Sequence, residues 1–155
     1  GFEIEPFILK DKKKLIKKGD QIITTKTSDT INLMLRNVVS LNEGTANFAD
    51  IKGYEIGGKT GSSVKYSNKA KLNTFVALFP SSKPKYVLLV MLDEPKSAPN
   101  FVYDMPPSEK FPNGYKYKGE TRNTSGWNTV VVAGKIIEKI GPILAINNLQ
   151  ASKNF

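Results

Sequence analysis

Lysine and serine carry most of the polar chemistry this sequence can offer. Its 155 residues include no histidine and no cysteine. A Ser-His-Asp triad, thiol catalysis and cysteine-ligated metal are therefore excluded, and a zinc enzyme is disfavoured. Acid–base work would fall to lysine, carboxylate or tyrosine. The most suggestive cluster is Gly57-Gly58-Lys59-Thr60-Gly61-Ser62-Ser63. Read as a strand, it puts Lys59 and Gly61 on one side and Thr60 and Ser62 on the other. An ammonium group beside a hydroxyl is a good host for a carboxylate. Glycine at a sheet edge lets a ligand backbone come close, and the edge can pair with an extended peptide. Such a strand is suited to gripping a peptide that ends in a carboxylate.

Other spellings in the chain compete with that reading. Gly53 to Thr60 matches the phosphate-binding P-loop pattern letter for letter, and Leu88 to Glu94 resembles a Walker B strand. A P-loop needs a buried strand before its first glycine and a helix beginning at its lysine. Asn47 to Lys52 is too polar for that strand, and Gly61 to Asn68 has no helical apolar stripe. The nucleotide-binding reading fails on this context. Ser62-Ser-Val-Lys65 and Ser82-Lys-Pro-Lys85 both spell Ser-x-x-Lys, and Ser40-Leu41-Asn42 spells Ser-x-Asn. A working Ser-x-x-Lys pair shares one face of a helix; on a strand the same spacing splits the two residues between faces. All three read as coincidences. Asp93 and Glu94 read as polar punctuation at a strand end.

The surrounding elements are expected to be few. Residues 1–27 read as a polar, extended lead-in with a short strand at Ile22-Ile23-Thr24-Thr25. A helix follows over 29–41, capped by Ser28 or Asp29 and left through Gly44, with Ile31, Met34, Leu35, Val38 and Val39 on one face. Asn73–Phe79 and Tyr86–Asp93 read as strands. Their six-residue connection is too short for a parallel crossover, so they pair antiparallel. Tyr86–Asp93 is apolar at nearly every position, which predicts burial on both faces. Pro95 to Gly126 reads as a long surface loop. Val130, Ala133, Ile136, Ile137, Ile140 and Leu144 mark a helix from about 126 to 146, with Trp127 as the aromatic anchor that seats it. The fold class is α+β, an antiparallel sheet of at least three strands with the C-terminal helix on one face.

These residues resemble a known family. Lys-Thr-Gly is the third motif of serine penicillin-binding proteins and β-lactamases. Val38-Val39, Gly44-Thr45-Ala46, Gly53-Tyr54 and Gly58-Lys59-Thr60-Gly61 follow the order seen in class B, division-type penicillin-binding proteins. Phe75 to Pro80, Pro84 to Val87, Leu92 to Lys96 and Gly126-Trp127-Asn128 are similar too. The similarity covers residues 28–146, leaving 147–155 as a tail. It implies a partial transpeptidase fold in which Lys59 and Thr60 bind the substrate or drug carboxylate beside Gly61. It also implies that Ser62 gives its backbone N–H to the oxyanion hole. Ser62 stands where the family usually has threonine, and Thr129-Val130-Val131 where it tends to show Ala-x-Pro.

The resemblance implies a parent D,D-transpeptidase of septal peptidoglycan, working on D-alanyl-D-alanine stem peptides and acylated by β-lactams. Divisome proteins would be its partners, and it would sit on the periplasmic side of the bacterial inner membrane. It calls for no metal and no organic cofactor. The nucleophilic serine is expected to precede this chain, which would be a soluble C-terminal fragment of the domain, inactive alone. A non-catalytic peptide-binding module on the same fold is the alternative. The net charge of +9 owes much to Lys10, Lys12, Lys13, Lys14, Lys17 and Lys18, read as a solvated lysine-rich loop. With only two arginines and no interleaved aromatics in that run, nucleic acid is not an expected partner. A bare sheet face would favour self-association.

Overall fold

The structure, a computed structural model, describes residues 1–6, 19–105, 107, 112–118 and 123–153. The Lys10–Lys18 run lies outside them. The N-terminal arm folds back on itself: Glu3 N–H donates to the Asp20 carbonyl (3.0 Å), and the N-terminal amine reaches the Ile23 carbonyl (2.7 Å). No strand forms over 22–25: an isolated bridge pairs Phe2 with Gln21 just ahead of it, and Thr25 already opens a helix.

Helix α1 spans Thr25–Ser40, starting earlier than the sequence suggested. The cap is Thr24, whose hydroxyl accepts the Thr27 N–H at 3.1 Å, so Ser28 and Asp29 fall inside the first turns. The exit also differs. Leu41 leaves the helix in extended conformation, and the Asn47 amide caps the carbonyls of Val39 (3.3 Å) and Leu41. Gly44 serves close approach instead: a Cβ there would lie 2.3 Å from the Val38 carbonyl oxygen. Arg36 ties α1 to the chain ahead of the sheet, donating to the Ile56 carbonyl (2.7 Å) and pairing with Asp50 (2.8 Å).

Strands β1 (Gly57–Val64), β2 (Lys71–Phe79) and β3 (Tyr86–Asp93) form an antiparallel sheet in the order β1-β2-β3. The register aligns Lys59 with Val76 and Leu89, and Thr60 with Phe75 and Val90. Helix α2, Thr129–Lys153, lies over the Phe75 face. Val130, Ala133 and Ile137 meet Phe75, Ala77, Phe79 and Val90 in the core, with Val39, Ala46, Ala49 and Ile56 closing it. Burying each large apolar side chain contributes about 1.5–3 kcal/mol. The expected sheet and covering helix are both present, and α2 runs on to Lys153, into the segment expected to be a tail. Trp127 ends a 3-10 turn, Ser125–Trp127, just ahead of α2.

Two expectations need correction. Strand β3 is not buried on both faces: Val87 is 74% exposed and Leu89 and Met91 are each 54% exposed. These three point away from α2 together with Val76, and α1 packs on β1. The segment from Pro95 to Gly126 is not wholly loop, for β4 (Val102–Met105) and β5 (Tyr115–Lys118) pair antiparallel within it. Tyr103 of this ribbon is buried. It stacks edge-on to Trp127, with 4.9 Å between ring centroids, and donates its hydroxyl to the Trp127 carbonyl. Burial raises the pKa of that phenol.

Candidate functional site

Lys59, Thr60, Gly61 and Ser62 sit consecutively on β1, an edge strand that pairs with β2 alone among the described residues. Alternation sends Lys59 to the face that α2 does not cover and Thr60 and Ser62 toward the α2 side. Gly58, just before them, packs against the Phe75 ring.

Each polar group has a definite partner. The Lys59 ammonium donates to the Thr60 carbonyl at 2.8 Å. The Thr60 and Thr45 hydroxyls share a hydrogen bond of 3.2 Å. The Gly61 carbonyl is approached by the Thr74 hydroxyl of β2 at 3.3 Å, so it is directed toward the sheet. In a trans peptide the following N–H points the opposite way, so the Ser62 amide faces the open side of β1. The Thr60 carbonyl, one residue earlier, faces that side too. The Lys59 ammonium and the Ser62 N–H therefore meet at one open edge. An ammonium group, a hydroxyl and an outward N–H in four residues can hold a carboxylate and steady a nearby oxyanion.

The Ser62 side chain is already engaged. Its hydroxyl lies 2.9 Å from that of Ser125 and accepts the Ser125 N–H at 3.0 Å. The Ser125 hydroxyl donates in turn to the Gly61 carbonyl. Ser125 is held from behind. Thr129 donates to its carbonyl at 3.1 Å. Asn123 accepts from Asn73 of β2 (3.1 Å) and from Asn128 (3.0 Å), while Lys71 donates to the Asn123 carbonyl (2.9 Å). Sequence reasoning missed Ser125 and Thr45. Their signals were present in the neighbouring Gly126-Trp127-Asn128 and in Gly44-Thr45-Ala46, but neither spelling says which strand it meets.

The competing motifs separate. Lys65 pairs with Asp93 (2.5 Å) and Glu94 (3.1 Å), while Ser62 is bound to Ser125, so that Ser-x-x-Lys is not a working pair. Hydrogen bonds from Asp93 and then Glu94 raise the Lys65 pKa; Asn68 and then Lys65 lower that of Glu94. Asp93 and Glu94 thus close a strand end, as their position suggested. Ser82 donates to Glu55 in the β2–β3 turn, and Ser40 ends α1. Lys59 and Thr60 lie inside a strand, which is incompatible with a P-loop. Among the described residues no three Asp, Glu, His or Cys gather as a metal site would require, and no helix is long and apolar enough to cross a membrane.

Comparison with known proteins agrees with this geometry. The family profile of the penicillin binding protein transpeptidase domain matches residues 1–106. The chain is 30% identical over 141 residues to the probable peptidoglycan D,D-transpeptidase FtsI of Caulobacter vibrioides, covering 83% of this chain and 21% of that protein. It is 39% identical over 90 residues to the peptidoglycan D,D-transpeptidase FtsI homolog of Mesostigma viride, covering 54% and 14%. Stage V sporulation protein D of Bacillus subtilis is 33% identical over 111 residues, covering 62% and 17%. Among solved structures, the D,D-transpeptidase domain of a peptidoglycan glycosyltransferase from Eggerthella lenta shares the fold. Its TM-score is 0.52 at 19% identity, over 83% of this chain and 23% of that one. The chain thus spans about a fifth of the length of the Caulobacter relative.

Proposed function

Because the chain belongs to the penicillin-binding protein transpeptidase family, we propose that it is the substrate-gripping C-terminal part of a serine D,D-transpeptidase that cross-links septal peptidoglycan. The observation that carries this reading is the single open edge shared by the Lys59 ammonium and the outward Ser62 N–H. The terminal carboxylate of a D-alanyl-D-alanine stem peptide displaces the Thr60 carbonyl from Lys59 and takes the Thr60 hydroxyl. The carbonyl of the penultimate D-alanine then lies against the Ser62 N–H.

A serine supplied from outside these 155 residues attacks that carbonyl. As the tetrahedral oxyanion collapses, the C–N bond breaks and D-alanine leaves with a proton on its nitrogen. An amine of a neighbouring stem peptide then attacks the ester, forming the cross-link and giving up one of its own protons to restore the serine hydroxyl. A β-lactam presents a carboxylate and a carbonyl to the same groups and acylates the same serine. The full-length protein works on the periplasmic side of the inner membrane with the division machinery as its partner.

Fluorescent penicillin tests the assignment. The full-length protein is expected to be labelled covalently and the 155-residue chain is not. In the full-length protein Lys59→Ala removes a charged hydrogen bond, worth about 1.5–3 kcal/mol, which lowers acylation efficiency roughly tenfold to hundredfold. Stable labelling of the isolated chain, or unchanged acylation in Lys59→Ala, contradicts the reading.

A further inference from the structure

We propose that Ser125 is a positioning residue for the oxyanion-binding peptide: its hydroxyl locks the Gly61–Ser62 peptide plane so that the Ser62 N–H is aimed before substrate arrives. The proposal rests on the reading of β1 as the active-site edge. It is carried by the direction of a short hydrogen-bond chain. A carbonyl offers no hydrogen, so between Ser125 and Gly61 the hydroxyl of Ser125 must donate. With that hydrogen used, the Ser62 hydroxyl is the donor in the Ser62–Ser125 pair, and it accepts the Ser125 N–H on its free lone pair. The four polar groups satisfy one another.

Two consequences follow. The Gly61 carbonyl and the Ser62 N–H belong to one planar unit, so a donor on the carbonyl fixes the direction of the N–H on the opposite side. Glycine is the softest backbone position in the motif, and it stands immediately before the amide that needs aiming. The other side chain on this carbonyl, Thr74, is at 3.3 Å, long for a hydroxyl donor. Gly61 is also paired with Thr74 in the β1–β2 ladder, and Ser125 is the better-placed side-chain donor that adds to this pairing. Ser125 is 1% exposed and held by Thr129, so it is itself immobile. A donor on the carbonyl also polarises the peptide and strengthens the N–H as a donor. The second consequence is that the Ser62 hydroxyl, spent on Ser125, is withheld from the substrate carboxylate. Ser62 then acts through its backbone, while Lys59 and Thr60 hold the carboxylate.

Acylation of the full-length protein by penicillin, measured from low to saturating concentration, tests this. Loss of one neutral hydrogen bond at the anchor predicts that Ser125→Ala slows the saturated acylation rate about threefold to tenfold, with half-saturation unchanged. Ile137→Val removes a buried methylene from the α2 core without touching Ser125 or the Gly61 carbonyl. It should lower the unfolding temperature and leave the saturated rate at wild type. If Ser125→Ala does not fold, Ser125→Cys replaces a strong donor by a weak one at nearly the same size, and it should still slow the saturated rate. A wild-type rate in a folded Ser125 variant, alongside an impaired Lys59→Ala, overturns the inference and leaves the assignment of the edge standing. Equal slowing by Ile137→Val also overturns it, because the effect would then be structural. Unimpaired acylation in Lys59→Ala overturns the assignment and the inference with it.

Discussion

Gly58→Ala offers a test of how the Lys-Thr-Gly strand is held. A Cβ at Gly58 would lie 2.5 Å from the Val76 carbonyl oxygen and 2.6 and 2.7 Å from Cζ and Cε2 of the Phe75 ring. The carbonyl is backbone of the paired strand, and Phe75 is fully buried against α2, so neither yields easily. Strands β1 and β2 must part locally. Overpacking of this kind costs about 1–3 kcal/mol, and the lower entropy of the unfolded alanine chain returns about 0.4–1 kcal/mol. The net loss of about 1–2 kcal/mol corresponds to an unfolding temperature lower by about 2–8 °C for a chain of this length. Gly57→Ala is the control. Its Cβ meets the α1 backbone at Arg36 and Leu35 and the Ser81 Cβ at 3.1–3.2 Å, a looser fit than at Gly58, so it should cost less. Thermal melts followed by the fluorescence of Trp127, the single tryptophan, read both. If Gly58→Ala melts with wild type, or costs no more than Gly57→Ala, the account of Gly58 as a packing position is wrong.

Acid should weaken the far end of the sheet. The pKa of Glu94 lies below its ordinary 4.5, so its contribution is complete above that value and is lost as pH falls through the lower, folded value. Lys65, raised above 10.5, contributes below that pH and loses its part only as pH rises through the raised value. Both groups are solvent-exposed, so the acid-side loss should be small, diminished by added salt, and diminished in Lys65→Gln; denaturant melts from pH 3 to 7 would show it. The exposed Val76, Val87, Leu89 and Met91 should make the isolated chain self-associate weakly. Sedimentation equilibrium should show concentration-dependent mass that Leu89→Lys abolishes, and a wild-type chain monomeric at high concentration refutes it.

What the sequence made legible was local. The Lys59–Ser62 alternation follows from strand geometry alone, and the β2–β3 pairing from a connection too short to cross over. The α2 stripe follows from helical spacing, and Val130, Ala133 and Ile137 are buried as that stripe requires. What was hidden depended on partners distant in the chain. Ser125 meets Ser62 across 63 positions, and no spacing rule links them. The apolar run of β3 looks the same whether one face is covered or two, because the run records hydrophobicity and not which helix lies over it. The β4–β5 ribbon was missed because its strands have four residues each, amid proline and glycine that read as loop. The α1 start lies at Thr25 because Thr24, four residues ahead of Ser28, also supplies a capping hydroxyl, to the Thr27 N–H.

The register places chemistry and apolar surface on the same side. Lys59, Val76 and Leu89 form one row across the sheet, on the face that α2 does not cover. The described edge holds donors: an ammonium, a hydroxyl and an outward N–H. Within it there is no serine free beside a lysine, since Ser62 is bound to Ser125 and Lys65 to Asp93 and Glu94. Donors alone can bind a carboxylate and stabilise an oxyanion, but they cannot form an acyl ester. Under the proposed function, the nucleophile must therefore be brought to the open edge of β1 by a part of the protein outside these residues, and Val76, Leu89 and Met91 offer that part an apolar face. Covering those apolar side chains contributes to holding it there. Loss of acylation in a Leu89→Lys full-length protein, with Lys59 intact, would then reflect a displaced nucleophile and not a weakened carboxylate grip. A tight-binding carboxylate ligand that does not acylate should bind Leu89→Lys as it binds wild type and bind Lys59→Ala less well.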